Sequence, residues 1–162
     1  MILKNKEMDR LITIISENKE PRHNLSELFH IIWPEFIEVS ECVLMKKNTE
    51  NLKELNMDNI CRMFGDRTGF EAADNHVHMM DLAKEFELQP LEGFKFALKL
   101  LEIWECKLKR DFPQYQFVLI LSFDGQDSIL RFHRNRKEEG SWLNNNDLDG
   151  YENTAILVEY VG

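Results

Sequence analysis

The sequence predicts an α+β fold: N-terminal helices and one long central helix packed on a mainly antiparallel sheet that ends in a C-terminal β-meander. Three observations predict it. Phe94, Ala97, Leu98, Leu101, Trp104 and Leu108 repeat at helical spacing and make the clearest apolar stripe in the chain. Tyr115, Phe117, Leu119, Leu121 and Phe123 alternate with Val118 and Ile120, so both faces of that segment are apolar, as in a central strand. Helical periods come first and strand periods last, which places helices on a sheet rather than between parallel strands.

Taken in order, Met8, Leu11, Ile12 and Ile15 predict a helix over 2–17, and Lys19-Glu20-Pro21-Arg22 breaks it. Asn24 with Glu27 reads as a capping box. It opens a second helix with Leu25, Leu28, Phe29 and Ile32 as its apolar face, ending at Trp33 before Pro34. Residues 36–46 are rich enough in β-formers for a strand, with a turn over 46–49. Met57, Ile60, Cys61 and Phe64 predict a helix over 50–64 that Gly65 terminates. Residues 65–90 stay open between strand, helix and loop. The long helix ends at Asp111-Phe112-Pro113, with Lys107, Lys109 and Arg110 in its last turn. A turn at 124–127 reverses the chain into 128–134, a polar loop follows, and 154–161 is the last strand.

Composition bounds the function. A chain of 162 residues with 43% hydrophobic residues predicts one domain, 1–162, with one core. No apolar run reaches the roughly 18 residues of a membrane span. The start lacks a signal-peptide core. Cys42, Cys61 and Cys106 are odd in number and have no CxxC, which suits free thiols. These readings predict a cytoplasmic protein with no cofactor. Net charge is −9, and residues 35–92, with 6 basic and 13 acidic side chains, hold −7 of it. Such a field repels nucleic acid and attracts basic partners.

Against that charge stands Arg131-Phe132-His133-Arg134-Asn135-Arg136-Lys137. Arginine offers a planar donor fork for carboxylates or phosphates. Three readings are open: ion pairs to Glu138, Glu139 or the acids of 35–92; docking of an acidic segment; or a phosphate site, which no Gly-rich loop supports. Alternation puts Arg131 and His133 on one strand face, with Arg134 and Arg136 directed elsewhere. The pattern therefore predicts a pair of ion-pair nodes rather than one three-arginine pocket. The polar loop adds Trp142 and Tyr151, large aromatics that either pin the loop to the core or anchor a partner. Trp33 and Trp104 are expected in the core.

Candidate chemistry is sparse. His76 and His78 share a face if 75–80 is a strand, and with Asp81 and His133 they form an alternative metal set for a small metal-dependent hydrolase or nuclease. The absence of HExxH leaves that reading behind a structural one. There is no GxSxG, and Cys61 and Cys106 fall on helical segments where thiols act as small hydrophobes.

The Trp-bearing helix, Phe112-Pro113, the strand QFVLILSF, the string ILRFHRNRKEEGSWL, the 151–161 end and Asn75-His76-Val77-His78 together resemble small bacterial cytoplasmic proteins of uncharacterised type. The resemblance spans about residues 70–162, and some proteins of this make-up are immunity proteins of toxin systems. It implies a non-enzymatic binding protein whose partner is a basic toxin domain. The residues that would meet that partner are Glu35, Glu38, Glu41, Asp66, Glu71, Asp74, Arg131, Arg136, Trp142 and Tyr151. A third reading is a self-associating domain whose edge strand pairs two copies.

Overall fold

The structure is a computed structural model that describes residues 25–46 and 54–162. The predicted helix over 2–17, its break at 19–22, the Asn24 cap, and residues 47–53 lie outside the described residues. Helix α1 spans Leu25–Ile32 and stops ahead of Pro34 as expected. The indole Nε1 of Trp104 donates to the Ile31 carbonyl at 2.8 Å and ties this helix to the core. Phe29, expected on the apolar face, is 65% exposed. Trp33, expected in the core, is also exposed and carries the cations of Lys107 and Arg110 at 5.0 and 4.9 Å from its ring centre.

The strand expected over 36–46 is a hairpin. Strand β1 is Phe36–Val39 and β2 is Cys42–Met45, paired antiparallel with Val39 opposite Cys42. The two-residue turn is Ser40-Glu41, with φ of +49° and +63°. Positive φ at both positions matches the twist of a tight hairpin, although neither residue is the usual Asn or Gly.

Helix α2 is Met57–Phe64, shorter than predicted because Asn56 caps it by accepting from the Asn59 N–H at 3.0 Å. Gly65, at φ +88°, ends it as predicted, its N–H returning to the Cys61 carbonyl. The open region then resolves into several pieces. Helix α3 spans Arg67–Asp74, capped by Asp66; β3 is His76–His78; a 3-10 turn covers Met79–Asp81; and α4 is Lys84–Leu88. Helix α5 runs Pro90–Asp111, with proline in the first turn where its missing N–H costs nothing. Gly93 lets α5 approach closely, since a Cβ there would meet that of Phe86 at 3.2 Å.

Strands β4 (Phe117–Phe123), β5 (Ser128–Arg134) and β6 (Ala155–Val161) join β3 in one antiparallel sheet ordered β3-β5-β4-β6. The α+β class, the long helix and the antiparallel C-terminal strands are as predicted. The order differs from a simple meander: β6 passes β5 and pairs with the other side of β4, so β4 is central. Helix α5 lies on the face bearing Phe117, Leu119, Leu121, Leu130 and Phe132. Trp104 meets Phe36 and Phe132 edge-on, and one apolar cluster joins the hairpin, α5 and the sheet.

Hydrogen bonds of the sheet alternate by residue. At the β4–β5 turn the Asp124 N–H donates to the Asp127 carbonyl, and at the other end the Asn135 N–H donates to Gln116. Even-numbered residues of β4 therefore bond β5 and odd-numbered ones bond β6. By the same alternation Leu130, Phe132 and Arg134 of β5 turn their peptide groups towards β3, while Ile156, Val158 and Tyr160 of β6 turn theirs away from the sheet.

Candidate functional site

Beyond β3 the sheet has a gap that side chains fill. The Phe132 N–H donates to the Asn75 carbonyl at 3.3 Å, the last backbone bond before the chain enters α3. Two residues on, the Arg134 N–H finds no strand opposite it and donates to Glu71 Oε2 at 2.7 Å. The carboxylate stands where a further strand carbonyl would be. Its Oε1 accepts from the Val43 N–H of β2 at 2.7 Å. One helical turn later Asn75 repeats the arrangement, accepting from the Met45 N–H and donating to the Val43 carbonyl, both at 2.8 Å. Helix α3 thus joins the hairpin to β5 through two side chains, so backbone groups that would otherwise be buried without partners are satisfied.

The charge of Glu71 is met by Arg136. Nη2 donates to Oε1 and Nη1 to Oε2, both at 2.8 Å. Both side chains are buried, at 0 and 3% exposure. Four donors thus serve the two oxygens, which saturates a carboxylate. Burial alone would lower the Arg136 pKa, but Glu71 raises it above its ordinary value. Arg136 Nη2 also donates to the Glu41 carbonyl in the hairpin turn at 2.8 Å, and Arg134 Nη1 joins it there at 2.6 Å.

A second, more exposed node sits beside the first. Arg67 Nε donates to Glu139 Oε1 at 2.7 Å, while Nη1 pairs with Glu41, and Glu138 lies 3.9 Å from Nη2. Glu139 Oε2 also accepts from the N–H and hydroxyl of Thr68 at 2.9 and 2.8 Å, at the N-terminus of α3 where an anion is favoured. Burial would raise the pKa of Glu139; Arg67 and Thr68 outweigh it and hold the carboxyl below its usual value. Glu41 and Glu138 remain largely exposed around Arg67, while Glu139 is shared with Arg136, whose Nη1 lies 3.7 Å from its Oε2.

The other predicted residues fall around these nodes. Glu35 pairs with Lys46 at 3.0 Å, and Glu38 accepts from the Tyr115 hydroxyl at 2.7 Å. Asp66 is spent on capping α3, and Asp74 lies half-buried in the last turn of that helix. Glu71 and Arg136 are buried and cannot be presented to a partner. Arg134 lies with its guanidinium 3.6 Å over the Tyr115 ring. Arg131, expected as an ion-pair node, has no carboxylate partner among the described residues. Its guanidinium lies 4.3 Å from the ring centre of Trp142, and burial pulls its pKa down. Trp142 is 41% exposed, so it is pinned by Arg131 without being buried. Tyr151 accepts from the Asn144 N–H, and Asn145 bonds Ser141 and the Tyr160 hydroxyl, so the loop is internally braced.

The alternative metal set does not converge. His76 and His78 are ring neighbours at 5.2 Å, but Nδ1 of His76 is 2.5 Å from the Ala73 carbonyl and Nδ1 of His78 is 2.6 Å from Asp127. Asp81 is exposed on the 3-10 turn. His133 is fully buried, its Nδ1 2.8 Å from the Arg134 carbonyl. Among the described residues no three His, Cys, Asp or Glu side chains are placed to share an ion. Cys61 and Cys106, expected to be buried, are exposed; Cys42 is buried, and burial with Glu71 nearby pushes its thiol up to about 12, which keeps it protonated.

Sequence reasoning missed Arg67, Thr68 and Asn75 as site residues, while Glu139, expected as an ion-pair partner of the arginine cluster, does lie 3.7 Å from Arg136 Nη1. A signal existed: Thr68, Glu71 and Asn75 are polar residues at i, i+3 and i+7, one face of a helix. That face is buried, the reverse of the usual amphipathic pattern.

Fold and site define a class: a small α+β protein in which a saturated buried ion pair joins a hairpin to a sheet, with exposed acids beside Arg67 and an exposed tryptophan held over Arg131. The family model described as "Uncharacterized protein PM0498 family" matches residues 3–161, and the chain belongs to that family. It is 25% identical over 169 residues to "Uncharacterized protein PM0498" of Pasteurella multocida (strain Pm70), covering 99% of each chain. This relative agrees with the resemblance to uncharacterised bacterial proteins. No solved structure matches the chain.

Proposed function

We propose that this protein is a non-enzymatic, acidic binding protein of immunity type, which neutralises a basic toxin domain by covering it. The observation that carries the reading is the surface around Arg67. Glu41 and Glu138 stay largely exposed there, and four residues after Glu138 the chain displays Trp142, held over Arg131. Residues 141–154 add Asp147, Asp149 and Glu152 and contain no Lys or Arg. Exposed carboxylates, with an aromatic anchor nearby in sequence, suit a basic surface. The acids would speed encounter, and the tryptophan would supply the desolvated contact. The buried Glu71–Arg136 pair holds the hairpin turn and the 136–142 segment in one frame, so little order is lost on binding.

The test is co-expression with the product of the reading frame directly upstream of the gene. Growth of the host is scored with and without this chain, and complex formation is measured on the purified pair. Protection is expected with wild type and lost in Trp142→Ala and in Glu41→Lys/Glu138→Lys at unchanged thermal stability. Growth that is indifferent to this chain, with no complex, overturns the reading.

A further inference from the structure

We propose that two copies of this chain pair through β6, antiparallel and edge to edge, about a two-fold axis at Val158. The strand is seven residues long and stands at the end of the sheet. Its outward peptide groups belong to Ile156, Val158 and Tyr160, and no described strand pairs with that side. An edge left unpaired among the described residues is a template for another strand. Natural edges are commonly blunted by proline, lysine, bulges, shortness or inward-pointing charge, and of these β6 has only the last, in Glu159 on the side facing α5. The other edge strand, β3, has three residues, so head-to-tail pairing of β6 with β3 would leave most of β6 open.

The register follows from the chemistry. Only residues whose peptide groups point outward can exchange bonds across the new seam, so even-numbered residues must oppose even-numbered ones. The alignment that uses the whole strand sets Val158 opposite Val158 of the second copy, and Ile156 opposite Tyr160. This makes an isologous contact, which closes after two copies. It places a β-branched side chain against an aromatic one on the outer face, a favourable cross-strand pair. Tyr160 is 59% exposed and Leu157 38%, so both have surface to lose. Charge permits it as well. Glu159 is the only charged residue of β6, and in this register it opposes Leu157 rather than its own copy. The surface proposed for the toxin partner includes the 141–154 loop, whose Asn145 bonds the Tyr160 hydroxyl at 2.6 Å, whereas the pairing proposed here uses only the peptide edge of β6.

Light scattering on the full chain at about 200 μM, where mass action favours a pair, is expected to give twice the chain mass. Val158→Pro removes an outward N–H from each copy while leaving the bonds to β4 intact, because proline is tolerated where the N–H faces solvent. It should weaken the dimer about tenfold or more. The register has its own readout in a Cys61→Ser/Cys106→Ser background. Val158→Cys should cross-link on oxidation, since opposed bonded pairs sit about 5.5 Å apart in Cα, within disulfide reach. Ile156→Cys should not, because Tyr160 faces it. A monomer at that concentration overturns the proposal. So does a dimer that survives a folded Val158→Pro, or cross-linking through position 156 instead of 158; should Val158→Pro not fold, the cysteine pair decides.

Discussion

Glu71 and Arg136 are 65 residues apart in the chain and meet in a two-pronged ion pair with both contacts at 2.8 Å. Neither side chain reaches solvent. Removing either partner strands the other charge in the interior. Glu71→Ala and Arg136→Ala should each cost about 3 to 5 kcal/mol in urea unfolding. Replacing both by methionine should not restore the wild-type value, because the Val43 and Arg134 N–H groups also lose their acceptor, at about 1 to 3 kcal/mol each. A double variant as stable as wild type would show that those backbone groups find other partners.

Asn75 separates shape from hydrogen bonding. Asn75→Asp keeps the acceptor for Met45 but loses the donor to the Val43 carbonyl and brings a second carboxylate near Glu71. Asn75→Leu loses both bonds. Each should destabilise by about 1 to 3 kcal/mol, and hydrogen exchange should rise at the Met45 amide in the leucine variant alone. Equal protection of that amide in both would mean Asn75 is not its partner.

Two groups give stability a common pH sign. Burial, with Arg136 beside it, holds the folded pKa of His133 below the ordinary 6.5. The unfolded chain then binds the proton more readily, so stability is complete above about pH 6.5 and falls as pH drops below it. Glu139, held below the ordinary 4.5, contributes stability that is complete above that value and is lost as pH falls through its folded pKa. Unfolding midpoints measured from pH 8 to pH 2 should decline in two stages, the first below about pH 6.5 and the second below about pH 4.5. His133→Phe should flatten the upper stage, and an unchanged slope there would assign it to another group.

The hairpin turn offers a gain. Glu41 sits at φ +63°, where an L side chain costs about 1 to 2 kcal/mol and glycine is free of that penalty. Glu41→Gly gives up an exposed ion pair with Arg67, worth little, and some unfolded-state entropy. A net rise of about 0.5 to 1 kcal/mol is expected by thermal unfolding. Its backbone carbonyl, which Arg134 and Arg136 use, is unchanged.

Periodicity made much of the fold legible. The stripe through Ala97, Leu101, Trp104 and Leu108 is buried as read, and β4 is central because both its faces are apolar. The hairpin was hidden because Ser40-Glu41 carries no turn signal; tertiary contacts to the Glu41 carbonyl hold a conformation that its own residues disfavour. Helix α3 was hidden because its polar side faces inward, so the pattern that marks a surface helix is inverted. The ion pair itself was half legible. Arginines in an acidic chain called for carboxylates, but which acid met which arginine depended on α3. Arg131 went to an aromatic ring instead, a choice that alternation along β5 does not specify.

Strands ordinarily adhere through peptide groups, which every residue brings alike, so a sheet survives most substitutions along its seams. Between β2 and β5 that insurance is absent. Glu71 and Asn75 stand in for a missing strand, and two codons therefore carry a junction that elsewhere is shared by a whole row of amides. Side-chain changes that leave the peptide ladders of β4 and β6 in place would, at these two positions, detach the hairpin from the sheet.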